Sequence, residues 1–276
     1  MAQIGRGNPN YAVRLPSGDG AAFALSWGAS THTGRVRTAN EDSYLAQTPI
    51  FAVADGMGGH AAGDFASAAV VTRLADLTAN SFVAPAAVDR ALAAAVSDIR
   101  RGTGRVDGGT GTTVTGVALT LAESQPHWAV FNIGDSRVYR LAGDTLEQIT
   151  VDHSVVQQLI DSGAITDAEA VTHPQANVIT RAVGINDLPV PDYRVLPVVT
   201  GQRFLVCSDG LTRELTGVGL KLILSAGYPA QATAEGLVEA AVSNGGRDNV
   251  TAIVLDVVPP STDRTHAVAL EARRRH

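Results

Sequence analysis

The sequence predicts an α+β fold in which two packed β-sheets carry helices on their outer faces. Three observations predict it: strand-like segments come in groups, two helical stripes lie between these groups, and Gly-Asp or Asp-Gly pairs follow several strands. Grouped strands with helix pairs are typical of layered α+β architectures. Residues 21–258 contain neither an internal repeat nor a Pro/Ser-rich linker, so we interpret them as one domain.

The first buried strand is predicted at residues 50–54, a short apolar run that an Asp-Gly pair closes. Two helices are predicted next, because apolar residues recur at spacings of three and four. The two stripes are Ala66, Val70, Leu74 and Leu77, followed by Val88, Leu92, Val96 and Ile99.

A second group of strands is predicted after these helices, at residues 112–121, 128–133, 137–141 and 145–149. The tight breaks at Gly134-Asp135 and Gly143-Asp144 predict that neighbouring strands of this group form antiparallel hairpins.

The last third of the chain mixes both element types. Residues 155–160, 220–224 and 234–242 are predicted helices, and residues 203–207 and 250–257 are predicted buried strands. Between them, the polar segment at about 161–190 is expected to project as a flap or lid.

Both ends differ in composition from the predicted domain. Residues 1–20 are rich in Gly, Pro and Asn without apolar periodicity, which predicts a flexible N-terminal arm. Residues 259–276 are polar and end in an arginine run, which predicts a flexible, solvated tail.

The composition excludes several classes of function. The 276 residues carry 21 Lys and Arg against 27 Asp and Glu, a net charge of -6, so no general attraction to nucleic acid or an anionic membrane is expected. A single cysteine, Cys207, excludes an internal disulfide framework. We find neither a secretory signal nor an apolar run of about 18 residues. These features predict a cytoplasmic protein.

Acidic residues recur at the ends of the predicted strands, where burial makes charge costly. Asp55, Asp135 and Asp209 each follow an apolar run, and Asp248 precedes one. Each Asp-Gly pair on its own is typical of a turn. Nearby basic residues are too few to neutralise every acid, and no histidine pair has metal-ligand spacing. An all-oxygen ligand set favours Mg²⁺ or Mn²⁺ over zinc.

Seven motifs in order resemble those of the bacterial metal-dependent Ser/Thr protein phosphatases of the PP2C type, the PPM family. They span residues 34–254, and any one alone would be weak. The motifs are Gly34-Arg35-Val36-Arg37-Thr38-Ala39-Asn40-Glu41-Asp42, Ala54-Asp55-Gly56-Met57-Gly58-Gly59-His60, Gly111-Thr112-Thr113, Asn132-Ile133-Gly134-Asp135-Ser136-Arg137, His173-Pro174 with Thr180-Arg181-Ala182-Val183-Gly184, Ser208-Asp209-Gly210-Leu211 and Arg247-Asp248-Asn249-Val250.

The resemblance implies a four-layer α/β/β/α sandwich, with two central antiparallel sheets flanked by helix pairs. It also implies a hydrolase of phosphoserine and phosphothreonine proteins, which uses two Mn²⁺ or Mg²⁺ ions and a third, weaker one. In this reaction a metal-bridging hydroxide attacks the phosphorus directly, without a covalent phosphoenzyme. A Ser/Thr kinase of the same cell and its substrates are the implied partners, and we expect a monomer.

The resemblance assigns the metal ligands residue by residue. Asp55 would bridge two metals, and the carbonyl of Gly56 would bind one of them. Asp209 and Asp248 would hold the other metal, and Asp135 with Asp209 would form the third site.

The resemblance also assigns supporting roles. Glu41 and Asp42 would bind metal directly or through ordered water, and Arg37 would grip the substrate phosphate. His60 is a candidate general acid for the leaving group, although it could instead cap the following helix. Thr110 before the Gly-Thr-Thr motif and Ala176 in the flap depart from many bacterial relatives, and the latter puts substrate preference in question.

The sequence offers three alternative functions. Cys207 and Arg213 have the Cys-x5-Arg spacing of cysteine phosphatases, but Asp209 between them would oppose both a thiolate and a phosphate. The glycines at 56 and 58 are a weak match to a dinucleotide fingerprint. A catalytically silent relative that binds phosphoproteins is the last alternative, and the intact acidic set argues against it.

Overall fold

Two mostly antiparallel sheets stack face to face in the computed structural model, which describes residues 1–260 except 17, 19, 20, 59, 104–108, 186 and 187. Within the described residues the first sheet has seven strands in the order β1-β4-β5-β7-β8-β11, with β6 paired to β5. Its strands are β1 (Gln3–Ile4), β4 (Asp42–Gln47), β5 (Ile50–Met57), β6 (Gly111–Thr112), β7 (Val114–Ala122), β8 (Gln125–Ile133) and β11 (Asp192–Pro197).

The second sheet has the order β10-β9-β12-β13-β3-β2 over the same part of the chain. Its strands are β2 (Asn8–Arg14), β3 (Ala21–His32), β9 (Arg137–Ala142), β10 (Thr145–Gln148), β12 (Arg203–Cys207) and β13 (Val250–Val258).

The described helices are α1 (His60–Ala75), α2 (Pro85–Thr103), α3 (Val155–Asp161), α4 (Asp167–Ala170), α5 (Asp209–Thr212), α6 (Gly217–Leu224) and α7 (Ala230–Asn244). The longer ones, α1, α2, α6 and α7, cover the outer faces of the two sheets. Both predicted stripes lie on helices, although the first ends in a 3₁₀ turn at Asp76–Ala79. No helix among these described elements is long and apolar enough to cross a membrane.

Three apolar layers hold the stack together. The middle layer lies between the sheets, where the buried aromatic rings of Trp128 and Phe204 meet edge to face at 5.6 Å. A second layer packs α1 and α2 on the first sheet, and a third packs α6 and α7 on the second. The predicted four-layer α/β/β/α sandwich is therefore confirmed.

The first residues of the chain differ from the predicted arm. β1 pairs in parallel with β4, and β2 pairs with β3, so this segment adds an edge strand to each sheet. Val13 is buried in the middle layer, and the Trp27 indole donates to the carbonyl of Arg6. Backbone pairing and a few apolar contacts, among them those of Ile4 and Val13, hold these strands, which the apolar periodicity of the sequence does not reveal. The predicted tail lies outside the described residues from 261 onward.

The predicted hairpin at Gly134-Asp135 is wrong, whereas the one at Gly143-Asp144 is confirmed. β8 belongs to the first sheet and β9 to the second, so the chain crosses between sheets at Gly134. Gly134 has φ 109°, and its carbonyl accepts a hydrogen bond from the Asn132 amide at 3.0 Å. The crossing places Asp135 where the two sheets meet at one end of the sandwich.

The segment predicted as a flap begins after α3 and contains α4. Isolated backbone bridges tie its later part to the body, between Ser154 and Ile179 and between Thr112 and Val183. Asn177 and Ile179 consequently lie beside the same end of the sandwich as Asp135.

A carboxylate-lined cleft as the candidate active site

A cleft of about 350 Å³ opens at the end of the sandwich where the two sheets meet. Strand ends of both sheets, the crossing at Gly134, the loop before β4 and the flap all contribute to it. Its lining comprises Arg37, Thr38, Ala39, Glu41, Asp55, Gly56, Met57, Gly58, Thr113, Asp135, Asn177, Ile179, Asp209, Arg213, Asp248 and Asn249.

Asp55 lies near the end of β5, where hydrogen bonds from Thr112 and Thr113 fix its backbone. Its N–H donates to the Thr113 hydroxyl at 3.0 Å, and its carbonyl accepts from the Thr113 N–H and the Thr112 hydroxyl, both at 2.9 Å. The Thr113 hydroxyl also bonds that of Ser136 at 2.8 Å, which links β5 to the crossing. The Asp55 carboxyl is thereby held toward the cleft.

Glycine beside the aspartates permits close packing, and two of the three pairs are not turns. Gly56 lies within β5, and a Cβ there would collide with the carbonyl of Gly63 on α1. Gly210 lies within α5, and a Cβ there would collide with the carbonyl of Asn249. The preference of Asp-Gly pairs for turns therefore misleads at both positions. Glycine is required there because a neighbouring carbonyl leaves no room for a Cβ atom.

Asp209 and Asp248 come from the second sheet, at the start of α5 and just before β13. Both Asp55 and Asp209 line the cleft, and the negative charge of Asp209 helps to raise the pKa of the Asp55 carboxyl. Arg37 makes a two-pronged ion pair with Asp248, at 2.8 and 2.9 Å. Arg213 contacts both Asp209 and Asp248, the latter at 3.1 Å. The cleft thus holds acids from both sheets and two arginines.

Glu41 and Asp42 occupy different positions. Glu41 lines the cleft, and its N–H donates to the Asn249 side chain at 2.8 Å. Asp42 is only 1% exposed and lies behind the cleft, opposite Asp55 in the β4–β5 register. The hydroxyls of Ser208 and Thr251 donate to its Oδ2 at 2.8 and 2.7 Å. Asp42 consequently supports the acidic cluster from within the sandwich.

Burial raises the pKa of four of these carboxyl groups, and the negative charge of their neighbours raises it further. The pKa of Asp42 and of Asp209 rises to about 6, and that of Asp135 to about 7. The pKa of Asp55 lies well above its usual range for the same reasons. The fold therefore gathers carboxylates that lack sufficient compensating positive charge.

The donor set fits a hard divalent cation. Every acidic donor is an oxygen, and the buried Oδ1 atoms of Asp42 and Asp209 find no hydrogen-bond partner among the described residues. Yet no three acidic, histidine or cysteine side chains in the described ranges are already arranged around one point. Instead, the Arg213 guanidinium contacts two of the carboxylates that could converge there.

Neither His60 nor His173 has a described side-chain contact in the cleft. The side chain of His60 lies outside the described residues, although α1 begins at this position, as the capping alternative expects. His173 accepts a hydrogen bond from the N–H of Gln175 within the flap and does not line the cleft.

Cys207 does not support the cysteine-phosphatase alternative. It is fully buried in β12, and burial raises the pKa of its thiol to about 12, so no thiolate forms near neutral pH. It is not among the residues that line the cleft.

Two polar residues that line the cleft, Asn249 and Arg213, make contacts that the sequence did not predict. The Asn249 amide donates to the carbonyls of Thr33 and Ala39, both at 2.9 Å, and so fastens the loop that carries Arg37. It stands next to Asp248 in a matched motif, which was the available signal. Arg213 was visible only through its spacing from Cys207, and nothing in the sequence indicates its contact with Asp248.

Comparisons with known proteins point to one family. The model of protein phosphatase 2C matches residues 31–234. The serine/threonine protein phosphatase PstP of Mycobacterium tuberculosis is 37% identical over 258 residues, which cover 89% of this chain and 48% of that protein. The chain thus spans about half the length of this relative. The serine/threonine phosphatase Stp of Listeria innocua is 34% identical over 239 residues, or 82% of this chain and 93% of that protein.

Solved structures agree with the sequence comparisons. The crystal structure of M. tuberculosis PstP/Ppp has a TM-score of 0.78 at 36% identity, covering 85% of this chain and 99% of that chain. The PstP catalytic domain in complex with two manganese ions has a TM-score of 0.76 at 35% identity, covering 85% and 98% of the two chains. The similarity therefore extends over nearly the whole described sandwich.

Proposed function

The chain belongs to the protein phosphatase 2C family, and from that membership we propose that it is a metal-dependent phosphatase of phosphoserine and phosphothreonine proteins. The observation that carries the proposal is the convergence of carboxylates from both sheets with Arg37 in one cleft. PstP, which binds two manganese ions in one solved structure, supports Mn²⁺ as a cofactor. Mg²⁺ has the same preference for oxygen ligands.

The acidic residues would hold the ions. We assign Asp55 to both ions, the Gly56 carbonyl to one of them and Asp209 with Asp248 to the other. Asp135 with Asp209 would form a weaker third site. Two bound cations would supply charge neutralisation and lower the pKa of water, which phosphomonoester hydrolysis requires.

Charge balance supports this assignment. The side chains of Glu41, Asp55, Asp209 and Asp248 carry four negative charges when ionised, and two divalent cations would neutralise them. Asp42 lies behind the cleft, which favours its indirect role, through ordered water or by fixing the strand that carries it.

Arg37 is placed to bind the substrate phosphate. Its side chain is 56% exposed at the cleft mouth, and its planar fork already makes a two-pronged contact with a carboxylate. The same geometry suits a phosphate. If cations bound Asp248, the Arg37 guanidinium would be released from that carboxylate and become available to the phosphate.

Phosphoproteins are the proposed partners, with a Ser/Thr kinase of the same cell as the opposing enzyme. The flap residues Asn177 and Ile179 form part of the cleft wall, where a protein substrate would pass on its way to Arg37. We propose a cytoplasmic monomer. His60 remains the candidate general acid, because its position at the start of α1 follows the cleft residues of β5.

The test is hydrolysis of p-nitrophenyl phosphate and of phosphoserine, phosphothreonine and phosphotyrosine peptides, with Mn²⁺ and with a chelator. The wild-type protein should release phosphate from the first two peptides only when metal is present. Asp209→Asn should lower turnover by at least about 100-fold, because it removes a metal ligand. The control, Asp144→Asn, changes an exposed aspartate of the β9–β10 turn and should retain wild-type turnover.

Each alternative has its own outcome. No turnover with Mn²⁺, combined with retained binding of a phosphopeptide, would favour the catalytically silent relative. Turnover that survives the chelator and is lost on thiol alkylation would instead support Cys207 as the nucleophile. Near-wild-type turnover of Asp209→Asn would reject the ligand assignment itself.

A further inference from the structure

Arg213 is the basic residue of the cleft to which neither the sequence motifs nor the proposed chemistry gives a role. It follows α5 directly, one turn after Asp209, and its side chain is 33% exposed. Its guanidinium contacts the Asp209 carboxylate and lies 3.1 Å from Oδ2 of Asp248. These are the two carboxylates assigned above to a single metal ion.

The guanidinium therefore spans the pair of ligands that an ion would need. Asp209 and Asp248 bear like charges side by side, and the guanidinium that contacts both of them offsets their repulsion. In the metal-free protein Arg213 supplies positive charge to both carboxylates, and Arg37 adds an ion pair with Asp248 alone. A divalent ion that binds the same oxygens must displace Arg213.

The described ion pairs of the Arg213 guanidinium are both with acids of the cleft. Among the described residues, its guanidinium makes hydrogen bonds or ion pairs only with Asp209 and Asp248. Arg247, the neighbouring arginine, pairs instead with Glu214 at 2.8 Å and has no contact with the cleft acids. The Arg213 guanidinium can consequently move into solvent when a divalent ion binds Asp209 and Asp248.

We propose that Arg213 is a built-in counter-cation that competes with the divalent ion for Asp209 and Asp248 and thereby weakens metal binding. This inference rests on the proposed metal site. The ion can bind only to the fraction of molecules in which Arg213 has left the two carboxylates. The apparent Kd of the ion therefore rises by the inverse of that fraction. For a partly exposed ion pair this amounts to about 3- to 10-fold.

The test is the Kd of Mn²⁺ measured by calorimetry, without substrate, for the wild-type protein, Arg213→Gln and Arg213→Lys. Arg213→Gln should bind Mn²⁺ about 3- to 10-fold more tightly. Arg213→Lys keeps the charge but cannot span both carboxylates, so its Kd should lie between the two. The control, Arg194→Ala, removes an equal charge from an arginine that pairs with Glu147 outside the cleft, and it should leave the Kd unchanged.

Thermal unfolding provides an independent measurement. Without metal, Arg213→Gln should melt below the wild type, because the carboxylates lose their counter-charge. The increase in Tm on adding Mn²⁺ should then be larger for Arg213→Gln than for the wild-type protein.

The outcomes separate the two proposals. If the wild-type protein binds no Mn²⁺, the proposed function fails. If it binds Mn²⁺ but both Arg213 variants bind equally or more weakly, only the competition is rejected. Should Arg213→Gln not fold, the Kd of Arg213→Lys alone decides, and a value at or above that of the wild type overturns the inference.

Discussion

Arg37 contacts Asp248 in this structure, and the proposed function gives it the substrate phosphate as a second partner. It is an exposed arginine whose fork is held by Asp248 while no ion competes for that carboxylate. The carboxylate fixes the guanidinium at the cleft mouth, where a phosphate would arrive. The same residue thus pairs with an acid of the metal-free cleft and, in the proposed function, would bind the substrate.

Replacing Arg37 should therefore affect substrate binding more than folding. Arg37→Ala is expected to lower kcat/KM by about 30- to 800-fold, the equivalent of about 2–4 kcal/mol for a lost charged contact. Arg37→Lys should recover part of this loss, because it keeps the charge without the fork.

The matched control is Arg35→Ala, two residues away on the same exposed loop. Steady-state kinetics with a phosphopeptide should show wild-type values for it. Unchanged kcat and KM in Arg37→Ala would remove Arg37 from the phosphate site.

Among the structural elements, the crossing between sheets at Gly134 has the greatest effect on the cleft. It carries Asp135, and its neighbour Ser136 bonds the Thr113 hydroxyl that fixes Asp55. A Cβ at Gly134 would lie 2.6 Å from Cγ2 of Thr113, and φ is 109°. Both the backbone and the packing consequently require glycine at this position.

Gly134→Ala should lower the free energy of unfolding by about 2–4 kcal/mol, from a strained φ together with a close contact. Gly143→Ala is the matched control, because its φ is 54° and no atom lies within 4 Å of its Cβ. It should cost only about 1 kcal/mol. Urea denaturation measures both values, and equal losses would show that the contact with Thr113 is unimportant.

The elements also show which features could be predicted from the sequence. Apolar periodicity located α1, α2 and the central strands, because these bury one continuous face. The same signal missed β1 and β2, which are held mainly by backbone pairing at the sheet edges. It also misassigned Gly134-Asp135 as a hairpin, because a turn within one sheet and a crossing between two have the same local sequence.

The cleft was predictable to the extent that its acids lie in motifs. Asp55, Asp209 and Asp248 could be named because each adjoins a buried strand and matches a family pattern. The contact of Arg213 with two of them could not, since it depends on how α5 packs beside the start of β13. The recessed position of Asp42 likewise follows from strand register rather than from composition.

For the whole molecule, the acidic cluster joins the two sheets. Asp42 of the first sheet accepts hydrogen bonds from Ser208, which follows β12 of the second sheet, and from Thr251 of β13. Asp55 of the first sheet lines the same cleft as Asp209, which begins α5 just after β12. Metal binding to this cluster would tie both halves of the sandwich together, so the stability of the fold and the charge state of the cleft should change together.

The metal-free protein should become less stable as pH rises from about 5 to about 7.5. The pKa values of Asp42, Asp209 and Asp135, at about 6, 6 and 7, exceed the ordinary value near 3.9. The folded protein therefore binds more protons than the unfolded chain in this range, and its stability is lost as pH rises through these values. Because the groups interact, we expect a total loss of about 2–4 kcal/mol.

Saturating Mn²⁺ should reverse this trend, because the ion binds the deprotonated carboxylates and not the unfolded chain. Urea denaturation at several pH values, with Mn²⁺ or with a chelator, measures both slopes. Asp135→Asn should flatten the metal-free curve between about pH 6 and 7.5, since it removes the group with the pKa near 7. A metal-free stability that rises through this range would mean that the carboxylates are already compensated within the protein, and the fold would then have no need of an ion at the cleft.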